Sequence, residues 1–584
     1  MKLVLREYLS MLKESGELDA LIYDLILAMG LEPLSRPTIG TRQFGVDIAA
    51  AGIDLQDETK TRKLFLITIK KGDISRRDWD TGIQAVRPSL NEIRDSYLRN
   101  RVRPEHKQLP KKIVLATGGE LKQEVEPDWV NYVHRHSAID AEYGPIEFEF
   151  WGADKLALMI ERNFLQEYLF PESAQKKIRK TIALADQNES DPQHFYDLIE
   201  QILFVEGVPY DNSRGARRKR QGILRLINLS LNIVFHWCQE ADNLRPAHLC
   251  AERTVLRTWD WMRHKNLFEC TPTLEEYIRL FATYLKIVKS YVSKLQPFCM
   301  VRDGLYGHGA DELGYSLRTF DLIGVLGSLG MTIIYLTVRS SDDQIRQRYY
   351  EEAVAVSKTL SALIRNNPSA LTPRFDGHSV DISLGLLLLI HTKQFNQAVH
   401  WLDELGSRIN FAYQIGRDFP VSSDSYEDLV AMKFGQAPPK EKLMELSTLL
   451  PMLAEWYVVL DHTEGYEKFQ NAISETFEQT NLQIWYPDDT TDSQLYQSNA
   501  GKMSGAMLTS IKLPQALSDL REKILRVQQE HQAFEGLSCI TKGWPMLGLI
   551  ASRHFRTPVM PSFWQQIISE PQQDNDNSSS QENS

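Results

Sequence analysis

The stretch GVDIAAAGIDLQDETKTRKLFLITIKKG, Gly45 to Gly72, decides how the first part of this chain folds. Val46, Ile48 and the small residues Ala49 to Gly52 suit one buried strand, and Leu64 to Lys70 is rich enough in β-branched and apolar residues for a second. The polar run Asp54 to Arg62 reads as the turn between them. An antiparallel pairing with Asp47 facing Lys70 centres that turn between Glu58 and Thr59. Side chains two apart on a strand share a face, so Thr68 and Lys70 point together while Ile67 and Ile69 enter the opposite layer. With neighbouring strands about 4.8 Å apart, Asp47 comes within reach of the Lys70 face. The hairpin thus sets a carboxylate that can hold a metal beside an ammonium that can stabilise negative charge.

Working outward, Leu18, Leu21, Ile22, Leu25, Ile26 and Met29 form one apolar helical stripe that Gly30 closes. After Lys70, Asp78 to Val86 reads as a helix carrying Gln84, and Pro88 permits a new helical start through Tyr97. Lys111 to Thr117, KKIVLAT, and Ile146 to Trp151, IEFEFW, read as further strands, and Ala153 to Asn163 as a closing helix.

An Asp followed, after a hairpin's length of chain, by a short strand ending in Lys resembles the active-site pattern of the PD-(D/E)xK nuclease superfamily, most closely its Mrr-like restriction endonuclease branch. GELDALIYDLILAMGLEPLSRP, from Gly16, resembles that family's first helix and strand, with Asp19 at the acidic position and Gly30 at the closing one. The resemblance covers residues 1–170. It implies an α/β restriction-endonuclease-like domain, a central mixed sheet flanked by helices, and a metal-dependent DNA endonuclease using Mg²⁺ or Mn²⁺. The roles it implies are Asp47 as main ligand with Asp19 beside it, Lys70 as the catalytic ammonium and Gln84 as a catalytic positioner. The Ile69 backbone carbonyl and, through a water, Thr68 complete the ligand set. Lys71, Arg76 and Arg77, just past the strand, are expected to meet the nucleic acid. The family usually has Glu, Asp or Gln where this chain has Thr68, which predicts weaker metal affinity.

At 584 residues the chain is too long for one domain, and 42% hydrophobic with 24% charged residues is a globular composition. A net charge of −11 argues against a protein that coats nucleic acid wholesale, while leaving room for a local basic groove. Five scattered cysteines without a leading signal peptide fit a reducing cytoplasm. His236, Cys238, His248 and Cys250, with His264 and Cys270 beyond, repeat a His-x-Cys pattern. Their surroundings read as helical core rather than as the turns zinc sites favour.

Residues 171–192 are polar and read as a linker, and 193–570 as a large helical accessory region, long enough for two subdomains. By analogy with the nucleases it resembles, and not from any residue, that region is expected to sense a trigger, bind a partner or drive oligomerisation. In it, QFNQAVHWLDELG from Gln394 resembles one helix of a tetratricopeptide-type repeat, without a fixed period around it. RGARRKRQG, Arg214 to Gly222, is the densest basic run. Its Arg217, Arg218, Lys219 and Arg220 are candidates for phosphate contact, against the commoner reading of a solvated loop between helices. Leu322 to Val338 carries no charge over 17 residues, but Gly324, Gly327, Ser328 and Gly330 lower its hydrophobicity. It reads as a buried core helix against which Leu384 to Ile390 packs through the glycines, not as a membrane span.

Gly304, Gly307 and Gly309 are followed by Asp311 and Glu312 instead of a Lys, and Gly501 to Ser504 lacks the glycine a Walker loop needs upstream, so no nucleotide cofactor is expected. The tail 571–584 is too polar to bury anything and reads as disordered.

The expected function is cleavage of DNA phosphodiesters as the effector of a bacterial restriction or antiphage system, with another subunit of that system as a partner and a homo-oligomer as the working form. Two other readings stand beside it: a nuclease-like fold kept as a nucleic-acid- or protein-binding subunit, and a helical interaction scaffold.

Overall fold

The structure is a computed structural model. It describes residues 2–35, 44–54, 57, 60–81, 85–137, 139–140, 144–164, 172–185, 192–205, 211, 213–307, 312–497 and 505–568. Gln84, the turn centre at Glu58–Thr59, Gly309 with Asp311, the Gly501–Ser504 fragment and the tail from Pro571 lie outside them. The chain divides into two compact units, Met1–Cys250 with Glu269–Thr283, and Ala251–Phe268 with Tyr284–Ser584.

The first unit is mixed α/β. Among the described residues its sheet has six strands: β1 (Glu32–Pro33), β2 (Ile48–Ile53), β3 (Arg62–Lys70), β4 (Lys111–Thr117), β5 (Ile139–Asp140) and β6 (Gly144–Trp151). They lie in the order β1-β2-β3-β4-β6-β5. β2 pairs antiparallel to β1 and β3, β3 and β4 pair parallel, β4 and β6 pair parallel, and β5 returns antiparallel to β6. β3 reads as a near-continuous apolar run because both faces of the sheet are covered. Leu64 and Leu66 join Ala49, Ala51, Ile113 and Leu115 in one core with Trp79, Val86, Leu90 and Ile93. Phe65, Ile67 and Ile69, on the other face, are equally buried. On that side helix Asp19–Ala28 packs on β2, and helix Ala153–Phe164 packs on β6 and on helix Lys2–Met11.

The segment after β3 differs from the expected helix over Asp78 to Val86. A helix forms at Arg76–Asp80, started by a capping box in which Ser75 and Asp78 bond each other's backbone. It stops at Thr81, which is extended at φ −109°, ψ 111°. The next helix, Val86–Glu92, begins just ahead of Pro88, so the imide falls in a first turn where no N–H is needed.

The start of the parallel strands carries a buried ion network. Lys63 meets Asp54, Asp57 and Glu147, and Lys112 meets Asp54 and Glu149. Asp54 is 2% exposed, so its charge is tolerable only because two ammonium groups face it. The polar stretch expected as a linker holds the helix Glu172–Ala183.

Among its described residues the second unit is mostly helical, with two small two-stranded sheets. The uncharged stretch belongs to helix Glu312–Arg339, long and apolar enough to cross a membrane by length and composition yet mostly buried within the protein. It packs against helix Asp343–Asn366 and, as expected, helix Ser379–His391. A Cβ on Gly324 would meet the Asp381 carboxylate, on Gly327 the Leu384 backbone and on Gly330 the Leu388 side chain. The helices approach as closely as the glycines allow. The repeat-like segment lies in the longer helix Phe395–Ile415.

Candidate functional site

Asp47 sits one residue before β2, at the same end of the sheet as Lys70. Its N–H donates to the Ile67 carbonyl at 2.9 Å, and its Oδ2 accepts the Ile69 N–H at 2.7 Å. The ladder ends with Ile48 opposite Ile67, and beyond it the Asp47 N–H reaches the same Ile67 carbonyl, so Asp47 does not stand opposite Lys70. The expected register is therefore two residues out. A slip of two preserves every side-chain face, which is why apolar patterning could not tell the two registers apart. Lys70 ends β3 three residues beyond Ile67, and its ammonium acts on the Asp47 carboxylate electrostatically.

Burial pushes the Asp47 carboxyl up to about 6, against the Ile69 N–H and the Lys70 ammonium, which favour its ionised form; Glu14 and Asp19 add to the rise by like-charge repulsion. Segment Glu14–Leu18 packs on β3 and helix Asp19–Ala28 on β2, which sets the acidic stretch Glu14 to Asp19 beside the strand pair that carries Asp47 and Lys70. Asp19 opens helix Asp19–Ala28, with its Oδ1 accepting the Ala20 N–H at 2.7 Å. Glu14 was not foreseen. It enters because Gly16, at φ 81°, turns the chain between two helices. The signal available was the run KESGELD, which packs Glu14, Glu17 and Asp19 into one polar break between apolar helical stripes.

Thr68 is 1% exposed and pairs with Leu115 in β4, so the position expected to carry a ligand is sealed into the sheet. Ile69 is fully buried, and its N–H is committed to Asp47. Lys70, at the strand's end opposite Thr117, is half-buried. Lys71, Arg76 and Arg77 are exposed just beyond, on the loop and short helix that follow β3. Gln84 lies outside the described residues.

The basic run is not a loop. Arg214–Glu240 is one helix, and Ser213 caps it by accepting the Ala216 N–H. Arg217 and Arg218 are exposed and Lys219 is half-buried. Arg220 is a correction to the set of nucleic-acid contacts: it is fully buried, donating from Nη1 to the Asp211 carbonyl at 2.8 Å and from Nη2 to the Cys270 sulfur at 3.6 Å. A helix turns every 3.6 residues, so four consecutive basic positions cannot all face water on a packed helix.

His236, Cys238, His248 and Cys250 are buried in helices Arg214–Glu240 and Arg245–His264. Among the described residues no three His, Cys, Asp or Glu side chains gather as a ligand group for a metal. The donors around Asp47 are nonetheless hard oxygens. Mg²⁺ is commonly held by one or two carboxylates, with water and phosphate completing the octahedron. Asp47 with Asp19 or Glu14 fits that pattern; the buried Thr68 adds nothing to it directly. Compared with known family models, curated proteins and solved structures, the chain shows no match.

Proposed function

We propose that the sheet domain is a metal-dependent DNA endonuclease of the PD-(D/E)xK type. The observation that supports this most is the Asp47 carboxylate tied to β3 through the Ile69 N–H, with Lys70 acting on it electrostatically from the carboxyl end of the parallel strands. That end of an open α/β sheet is where ligands commonly bind.

Asp47 and Asp19 would hold Mg²⁺ or Mn²⁺, with the Ile69 carbonyl as a further oxygen. A bound ion would supply Lewis-acid activation of the phosphate and lower the pKa of an attached water. Lys70 brings its ammonium to the scissile phosphate, offsetting the charge that grows there as the phosphodiester is attacked. The Ile69 N–H bond fixes the Asp47 carboxylate before substrate arrives, so no reorganisation is needed at the moment of reaction. Lys71, Arg76 and Arg77 draw the DNA backbone toward that edge, and Arg217, Arg218 and Lys219 offer a second set of phosphate contacts. By analogy with nucleases that carry an unrelated second region, the helical part would govern when the site acts, as in a bacterial restriction or antiphage effector working with other subunits or as an oligomer.

A second reading, in which the domain binds nucleic acid or protein without cutting, is favoured by the burial of Thr68 and the lack of a three-ligand cluster among the described residues. Plasmid cleavage in Mg²⁺ and Mn²⁺ separates the two. The nuclease reading expects nicking by the wild type that Asp47→Ala and Lys70→Ala each slow by about a hundredfold or more. Activity surviving both substitutions refutes this site, and no cleavage with either ion supports the binding module.

A further inference from the structure

We infer that Arg279, with Glu276 and Arg225, acts through Asp24 to position the helix that carries Asp19 at the Asp47 site. The inference rests on the nuclease reading above, and it names these residues as positioning residues, since none reaches the reacting atoms.

Helix Asp19–Ala28 buries Leu21, Ile22, Leu25 and Ile26, and apolar packing alone leaves such a helix free to slide or turn, because burial has no direction. Asp24 supplies the direction. Its Oδ1 accepts from Arg279 Nη1 at 3.0 Å and lies 4.0 Å from Arg225 Nε. Arg225 in turn donates from Nε and Nη2 to Glu276 Oε1 at 2.9 and 2.6 Å, and Arg279 Nη1 stands 3.5 Å from Glu276 Oε2.

Two cations and two anions therefore alternate, with the Arg225 and Glu276 side chains only 9% and 4% exposed. The Arg279 guanidinium also lies 5.9 Å from the Tyr23 ring centre, so it holds two successive residues of the same helix. Asp24 follows Asp19 by five residues, about 7.5 Å along the axis, so any shift at Asp24 is passed rigidly to Asp19. Arg225 comes from helix Arg214–Glu240, and Glu276 and Arg279 from helix Thr271–Cys299. All four residues lie in the first unit. Chain far beyond residue 170, from helices Arg214–Glu240 and Thr271–Cys299, thus enters the construction of the site.

The test uses the full chain with Arg279→Met, Arg279→Lys and Asp47→Ala, reading Mn²⁺ binding by titration calorimetry and amide hydrogen exchange over residues 19–28. Removing a group bonded directly to a metal ligand typically costs about tenfold or more in affinity; Arg279 acts one step further out, so Arg279→Met is expected to raise the Mn²⁺ dissociation constant severalfold. It should also speed exchange in 19–28 while leaving 379–391 unchanged. Arg279→Lys should recover most of the affinity, because a single ammonium can still reach Asp24. A merely structural role would lower the number of competent sites and leave the dissociation constant alone. That result, or unchanged affinity and exchange in Arg279→Met, overturns the inference. A wild type that neither binds Mn²⁺ nor cleaves DNA overturns the nuclease reading and this proposal with it, and the exchange data then report separately whether Arg279 still holds the helix.

Discussion

Replacing Gly327 by Ala tests the helix pairing at the centre of the second unit. A Cβ there would lie 2.6 Å from the Leu384 carbonyl carbon and 2.7 Å from its oxygen and Cβ. Carbon atoms rest comfortably at about 3.5–4.0 Å, so the helices must part by roughly 1 Å, and a gap of that size forfeits a quarter to a half of the attraction between each neighbouring atom pair. Two gains oppose this: about 1 kcal/mol from helix propensity and about 0.8 kcal/mol from burying a methyl group. Because the obstacle is backbone, which cannot swing aside, the overpacking cost should sit at or above the top of the usual range of about 1–3 kcal/mol. The expected net loss is about 1–2 kcal/mol once the gains are set against it. Gly330→Ala is the comparator in the same helix, since its Cβ would meet only the movable end of the Leu388 side chain. Urea denaturation followed by circular dichroism should show Gly327→Ala less stable than wild type and Gly330→Ala between the two. A Gly327→Ala protein as stable as wild type, or less harmed than Gly330→Ala, refutes the close-packing argument.

Glu455 is fully buried, takes hydrogen bonds from Trp564 and Gln565, and is pushed by desolvation up to about 7. A carboxyl whose folded pKa is raised gives stability present below its ordinary pKa of 4.5 and lost as pH climbs to about 7, so wild type should weaken from pH 5 to 8, by roughly 3 kcal/mol at most. Glu455→Gln should flatten that dependence in thermal melts; an unchanged slope contradicts the assignment. Replacing Arg217, Arg218 and Lys219 together by Ala should weaken DNA binding and reduce the slope of log K against log salt by about 0.9 for each phosphate no longer neutralised. Arg220→Ala should instead lower stability with the salt slope intact, and a changed slope would return Arg220 to the binding surface.

The strand pair, the two strands that follow and the buried glycine helix were legible because each is written in local apolar period. Leu64 to Ile69 is too short for a helix and too apolar for an exposed strand, and the glycines of 324–330 announced a close partner. The register was not legible, because shifting β3 by two residues leaves Leu64, Leu66 and Thr68 on the same face; the backbone pairing of Ile48 with Ile67 is what distinguishes the alternatives. Glu14 was missed because its place depends on the left-handed turn at Gly16, which no spacing rule aligns with Asp47. The burial of Arg220 and the Asp24–Arg279 network depend on residues 50 and 255 positions away in sequence, a distance over which charge pairing leaves no readable pattern.

The most direct test of the central claim, that Asp47 and Lys70 form one phosphodiester-cleaving site, is the rate of plasmid nicking by wild type, Asp47→Ala, Lys70→Ala and the double variant at saturating Mn²⁺. Groups that act as a unit are non-additive, so each single change should cost about a hundredfold or more, and the double variant should be no slower than the worse of the two. Single variants within about twofold of wild type, or a double variant slowed by the product of the two losses, would contradict it.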